Sequence, residues 1–316
     1  MFRVRTVDDV NDFVGAPGDP EDYSQTVTDL WASEESGPKW CFLLEDGPTP
    51  IGRVGLRVAP TVSDPAWLGS LPPREMFIYG LSLPWEEEYL EPGRFLFTEA
   101  IRSVAADTPE MLEARINSDF HSHPGARCRL LESLGMSLFH EKHGFFWVDT
   151  GQSARPGDRL EFRSVAETGI DHYRSVMAPC GEGTLDRNDR YYWEGCGPHN
   201  WAAQMTQYLE ENDVSMWLIG YHQDEPVGYV AVVSDEEWGA TIGHIGVVPE
   251  HRGNGYGHDL VAAGTAAAQR SGIGTMLSDV DVLNVPMRNA LNDCGHVEEP
   301  ERWHTWVYRA DLETMS

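Results

Sequence analysis

Residues 249–257 read PEHRGNGYG, with one arginine and three glycines between the apolar run 245–248 and a stretch of helical periodicity. Each glycine costs conformational entropy on ordering. Gly253, Gly255 and Gly257 therefore call for a tight connection or for a backbone that must touch a ligand. A strand, a proline, a glycine-rich loop and a helix in succession aim several main-chain N–H groups into one concavity. The helix N-terminus adds unsatisfied donors and partial positive charge. The product is an anion cradle, and Arg252 is placed to add a bidentate cationic contact. No Gly-Lys-Ser/Thr follows, so this is not a Walker loop. The two-residue glycine spacing, late in a domain and after a hairpin, also fails as a dinucleotide fingerprint.

The elements that would hold such a loop recur. Each half opens with a short basic-apolar strand running into an acidic helix start, 2–13 and 160–173. Each continues to an aromatic hairpin with an acidic turn, 40–58 and 216–233, then to a strand ending at a proline, 77–84 and 241–249. A helix follows, then a short strand, a helix ending in glycine (125–136 and 286–296) and tryptophan-bearing strands. The reading is a tandem duplication of one unit, with domains at 1–150 and 158–316 and a Gly/Ser/Pro linker between them.

The chain has 316 residues, enough for two domains, and 51 acidic against 23 basic residues give a net charge of -28. Such a surface repels nucleic acid and anionic lipid and would favour cationic ligands, although the spread of acid along the chain, not massed in one block, favours solubility or adaptation of the host to salt as its cause. Five cysteines without CxxC spacing argue against a disulfide framework. The N-terminus lacks the apolar core of a signal peptide, and no apolar run reaches spanning length. A cytoplasmic protein without a membrane or nucleic-acid partner is expected, as monomer or homodimer. Cys180, Cys196 and His199 have the wrong spacing for a common zinc site. His121/His123 and His140/His143 do not form HExxH and are expected on loops of the first half, so no metal is expected.

The pattern V-x-P-x-x-R-G-x-G-x-G at Val247, Pro249, Arg252, Gly253, Gly255 and Gly257 closely resembles the acetyl-CoA loop of the GNAT N-acetyltransferase superfamily. The flanking order of elements agrees, as does the later stretch 279–287, DVDVLNVPM. That stretch resembles the region where two neighbouring strands splay apart and an asparagine meets the cofactor. The resemblance covers nearly the whole second half. It implies an α/β (α+β) fold of two GNAT-like domains, each a mixed, mostly antiparallel sheet flanked by helices. It also implies acetyl-CoA as cofactor. Main-chain amides of Gly253, Asn254, Gly255, Tyr256, Gly257 and His258 would hold the pyrophosphate. The edge Ile245–Gly246–Val247 would pair with the pantetheine, and Asn284 would bond it. In the first half the matching loop, 84–94, has no glycine ladder, and Glu86, Glu87 and Glu88 stand where a pyrophosphate would lie. Like charges disfavour phosphate there, so that half is expected to be structural. The unequal halves are similar to the architecture of mycothiol synthase.

Acetyl transfer needs an uncharged amine, a polarised thioester and a proton for the leaving thiolate. By the resemblance, the glutamate many members use as base falls at Thr241, and the tyrosine acid at Leu291; neither side chain can act. His244 is the candidate base, although plain alternation turns it away from Thr241, Ile245 and Val247 unless a bulge intervenes. Asp281 either orients an amine or caps the turn into the next helix. Acceptor contacts are expected from 180–201, where Asp186, Asp189, Tyr191, Tyr192, Trp193 and Glu194 would wrap a cation; a loop packed on its neighbours is the competing reading. The function expected is direct transfer of acetyl to a small cationic amine in a ternary complex. The alternatives are a non-catalytic acyl-CoA sensor and a natural-product acyltransferase with another donor or acceptor.

Overall fold

The computed structural model describes residues 1–17, 24–33, 35–58, 75–104, 111–151, 156–210, 214–235 and 239–311. Part of the expected linker, 152–155, lies outside them. In chain order the first half runs β1 (Phe2–Thr6), α1 (Val10–Val14), α2 (Ser24–Ala32), β2 (Cys41–Asp46), β3 (Thr49–Val58), β4 (Glu75–Ser82), α3 (Leu90–Val104), β5 (Met111–Asn117), α4 (Pro124–Ser133) and β6 (Ser137–Val148). The second half runs β7 (Glu161–Ser164), α5 (Val165–Thr168), α6 (Ile170–Met177), α7 (Arg187–Cys196), α8 (Pro198–Glu210), β8 (Trp217–His222), β9 (Glu225–Asp235), β10 (Gly239–Val247), α9 (Tyr256–Arg270), β11 (Thr275–Asp281), α10 (Val285–Asp293), β12 (Val297–Glu298) and β13 (His304–Asp311). His140 and His143, expected on loops, sit within β6, an extended strand whose apolar residues Phe139 and Phe145–Val148 flank them on either side.

The chain divides into two compact units, Met1–Glu141 with Thr305–Ser316, and Lys142–His304. Both follow one plan. In the first, β1, β2, β3 and β4 pair antiparallel in sequence, β4 and β5 run parallel, and β13 closes on β5 antiparallel. In the second, β7, β8, β9 and β10 pair antiparallel, β10 and β11 run parallel, and residues 142–148 of β6 close on β11 antiparallel. Each sheet thus takes its last strand from the other half of the chain. A boundary drawn at 150–158 misses this, because strand pairing is not confined to sequence neighbours.

In the first unit, the apolar faces of β2–β5 and β13 bury Phe42, Leu56, Leu112 and Tyr308 against Leu96, Phe97 and Ala100 of α3. In the second, Val230, Val232 and Met276 pack under Leu260, Ala263 and Ala267 of α9. The opposite face of β8 and β9 buries Trp217, Tyr229 and Ala231 against Tyr173 and Met177 of α6 and Trp201 of α8. The β8–β9 turn uses Gln223 and Asp224, both at positive φ (51° and 63°), as the twist of a two-residue hairpin requires.

Candidate functional site

In the second unit β10 and β11 pair only at Ala240↔Met276 and diverge from there, leaving the edge of β10 toward Val247 open on that side. Ser278 Oγ still reaches across to accept from Ile242 N at 3.3 Å. The wedge holds a cavity of about 220 Å³. Its walls include Ile242, His244 and Ile245 of β10, Ser278 and Asp279 of β11, and Asn284 and Leu291 beyond. Asp186 and Asp189 enter from α7, and Lys142 from β6.

The β10 register slips between Ile242 and His244, which face Val232 and Ala231 of β9, so Gly243 is an extra residue. This is the bulge that decides where His244 points. Thr241 (opposite Val233) and His244 share a face, while Ile242, Ile245 and Val247 pack on the α9 side. His244 Nδ1 lies 2.7 Å from Tyr229 Oη, its ring stacks on Tyr229 at 11°, and Trp201 meets it edge-on. Nε2 is 3.0 Å from Asp189 Oδ2, an ion contact without aligned hydrogen-bond geometry. Burial disfavours the imidazolium, yet Asp189, with Asp186 behind it, outweighs burial and raises the His244 pKa above its ordinary value. Burial holds the Tyr229 phenol protonated, with its pKa well above 10, so this hydroxyl fixes the ring.

Lys142 Nζ lies 3.1 Å from Asp279 Oδ1 and 3.6 Å from Asp186 Oδ2. Burial works against its charge, but Asp279, Asp186 and Asp189 together raise its pKa. Nothing in the sequence singles this lysine out, because it reaches the cavity on a strand from the other half. Tyr229 was equally hidden, since a strand tyrosine reads as core.

The other sequence-derived candidates separate. Asp186 caps α7, accepting from Asn188 N and Asp189 N at 2.9 and 3.0 Å. Because 187–196 is helical, Asp189 follows one turn after Asp186 on the same side, and the intervening Asn188 also lines the cavity. Tyr191, Tyr192, Trp193 and Glu194 do not line it: Trp193 Nε1 bonds Ala178 O at 2.8 Å, and Glu194 is exposed. Asp281 also leaves the list of pocket groups. It is 0% exposed and clamped by Arg187 Nε and Nη2 at 2.8 and 3.1 Å, and it accepts from Leu283 N at the turn into α10. Asn284 lines the cavity and caps α10 through Met287 N. The Cys180 and Cys196 thiols each donate to a carbonyl one helical turn back, Val176 O and Tyr192 O. Burial pushes Cys180 up to about 12, which rules it out as a thiolate nucleophile at neutral pH.

At the glycine loop, Gly253 and Gly255 have φ of 80° and 78°, a region costly for any side chain. Gly255 is the N-cap of α9, and no side chain caps that end. Among the described residues no acceptor within the chain pairs with the N–H of Gly253, Asn254, Gly255, Tyr256 or Gly257. His258, expected with them, instead donates to Gly255 O at 3.1 Å. A Cβ on Gly257 would meet nothing within 4 Å, so the fold itself does not need glycine there. These donors, and the room above them, fit a bound diphosphate. Tyr256 is buried with Leu160 and Val227 and fixes the loop from beneath. Arg252, expected on phosphate, grips three carbonyls: Val247 O, Glu182 O and Cys180 O at 3.1, 2.6 and 2.8 Å. It fastens the 178–182 turn to the end of β10. Gly246 is needed for the same contact, since a Cβ there would lie 2.8 Å from Cys180 Cβ.

The first unit has filled the equivalent places. Glu88 Oε1 accepts from Leu90 N at the start of α3, putting a carboxylate on that helix end. Arg127, 1% exposed, donates to Leu81 O on β4 and stacks on Trp85.

Residues 184–296 match the family model described as Acetyltransferase (GNAT) family. No match is found among curated proteins. Among solved structures the chain is similar to a GCN5-related N-acetyltransferase from Sphaerobacter thermophilus, at 15% identity over 98% of this chain and 96% of that one, with a TM-score of 0.63. It is also similar to a tandem GNAT protein from the clavulanic acid biosynthesis pathway, at 15% identity over 99% of both chains and a TM-score of 0.54. At these identities the likeness concerns the fold, and it extends over both units.

Proposed function

We propose that the chain is an acyltransferase and that its second unit, whose residues 184–296 match the acetyltransferase (GNAT) family model, transfers acetyl from acetyl-CoA to a small amine by direct attack. The observation that carries this reading is the run of five unpartnered amides at 253–257, beside an open strand edge that leads into the cavity. Those amides and the α9 N-terminus would hold the diphosphate, and the edge at Ile245–Val247 would pair with the pantetheine. Acetyl-CoA supplies an acetyl group activated as a thioester, which an uncharged amine attacks with release of the thiol.

Asp189 and His244 together bind the incoming ammonium and take its proton. Asp189 faces the cavity, His244 stores the proton behind it, and Tyr229 keeps the ring in place. A main-chain N–H near Gly246 or Val247 would polarise the thioester carbonyl. Leu291, 1% exposed, offers no acid for the thiolate, which therefore leaves with a proton from water or from the amine itself.

Calorimetric titration with acetyl-CoA, followed by free-thiol release across a panel of amines, tests this. Uptake at one site per chain and amine-dependent thiol release are expected. Absence of uptake, or uptake unaffected by changes at 253–257, would overturn it.

A further inference from the structure

The cavity wall contains its own primary amine. Lys142 seats its ammonium between Asp279 and Asp186, while His244, nine-tenths buried, presents Nε2 to Asp189 without an aligned hydrogen bond. Lys142 thus fills the seat between two of the three cavity carboxylates, and Asp189, beside His244, is the one turned to an incoming cation. We propose that Lys142 sets the charge of the acceptor, so that the cavity takes an amine bearing a single positive charge and discriminates against diamines. This rests on the amine-acceptor reading above and narrows it.

The physical reason is repulsion in a confined space. Charges in a partly desolvated wedge interact far more strongly than in water. One ammonium is held beside Asp189. A second, a few ångströms away, meets the fixed ammonium of Lys142 where it would otherwise meet Asp279 and Asp186. Removing the lysine cation should therefore open a second cation subsite, and removing one carboxylate as well should close it again.

The test compares butylamine with 1,4-diaminobutane at about pH 8, where both amines are still cationic and His244, whose pKa is raised, can take up a proton. The wild-type chain, Lys142→Met and the double variant Lys142→Met/Asp279→Asn are measured for kcat/KM. Binding of both amines to the CoA-loaded chain is read in parallel by calorimetry. The wild type should prefer the monoamine. Lys142→Met should shift the ratio toward the diamine by at least about tenfold, the scale of one ion pair at such a site. The double variant, which also relieves any instability from unpaired carboxylates, should return the ratio to near its original value. An unchanged ratio in Lys142→Met, or a double variant that follows the single one, overturns the inference. Binding preferences that shift as stated without any turnover would support the charge rule and sink the catalytic reading.

Discussion

His244 shows how a single inserted residue changes what a side chain can do. Strict alternation turns it from the face that carries Thr241; Gly243 bulges out of the β9 pairing and brings the two onto one face. Two expectations follow from its contacts. His244→Gln should lower kcat by roughly 10² to 10³, the range for loss of a proton acceptor, with little change in acetyl-CoA affinity. Asp189→Asn removes the carboxylate that raises the His244 pKa, so the acidic limb of the pH–rate profile should move to lower pH. A limb that stays in place would separate Asp189 from proton transfer. Stability carries the opposite signature at His296, which is 1% exposed with Nε2 2.9 Å from Thr265 Oγ1. Burial lowers its pKa to about 4 from 6.5. A depressed folded value means that the stability it lends is present above pH 6.5 and is lost as pH falls toward 4. His244, with a raised value, lends stability below its unfolded pKa and loses it as pH rises through the folded one. The melting temperature should fall from pH 6.5 to pH 4, and His296→Leu should flatten that slope.

The strand-to-helix junction after β10 is where glycines with two different causes meet. Gly253 and Gly255 answer to the backbone, since both lie at positive φ. Gly257 answers to nothing inside the chain, because a Cβ there meets open space. Gly257→Ala should therefore leave stability unchanged or raise it by about 0.5–1 kcal/mol, as helix propensity dictates, while weakening acetyl-CoA binding several-fold. Thermal melts and calorimetry on the same variant read the two effects. Gly255→Ala should lower both, costing about 1–2 kcal/mol of stability. The first unit repeats strand, loop and helix without the ladder, and Glu88 occupies its helix end. CoA binding should accordingly be indifferent to Glu88→Gln.

The exchange of last strands joins the two units into one folding problem. Fragment 1–150 lacks β13, the partner of β5, and fragment 158–316 lacks residues 142–148, the partner of β11. Neither should give a cooperative thermal transition alone; mixing both should restore one. Within the first unit β13 also delivers Arg309 to Glu113, at 2.7 Å with Glu113 0% exposed. Burial alone would raise the Glu113 pKa, but Arg115 and Arg309 lower it on balance. Arg309→Met leaves that carboxylate with Arg115 only and should cost about 3–5 kcal/mol, measured by denaturant unfolding.

Much of this was legible in the residues alone because it obeys short-range rules. Glycines at an αL turn, an amphipathic helix after an apolar strand, and a hairpin turn are dictated by neighbours a few positions apart. So the likeness to the acetyltransferase (GNAT) family model, the sheet-and-helix order repeated in both halves, and the loop that fits a diphosphate could be read directly. The fate of Arg252, Asp281 and Tyr191–Trp193 could not, because each depends on which carbonyl, arginine or helix face comes near in space. The same holds for Lys142, which reaches the cavity only because a strand from one half pairs into the sheet of the other. Strand pairing selects partners by burial and register over the whole chain, and no local pattern encodes that choice.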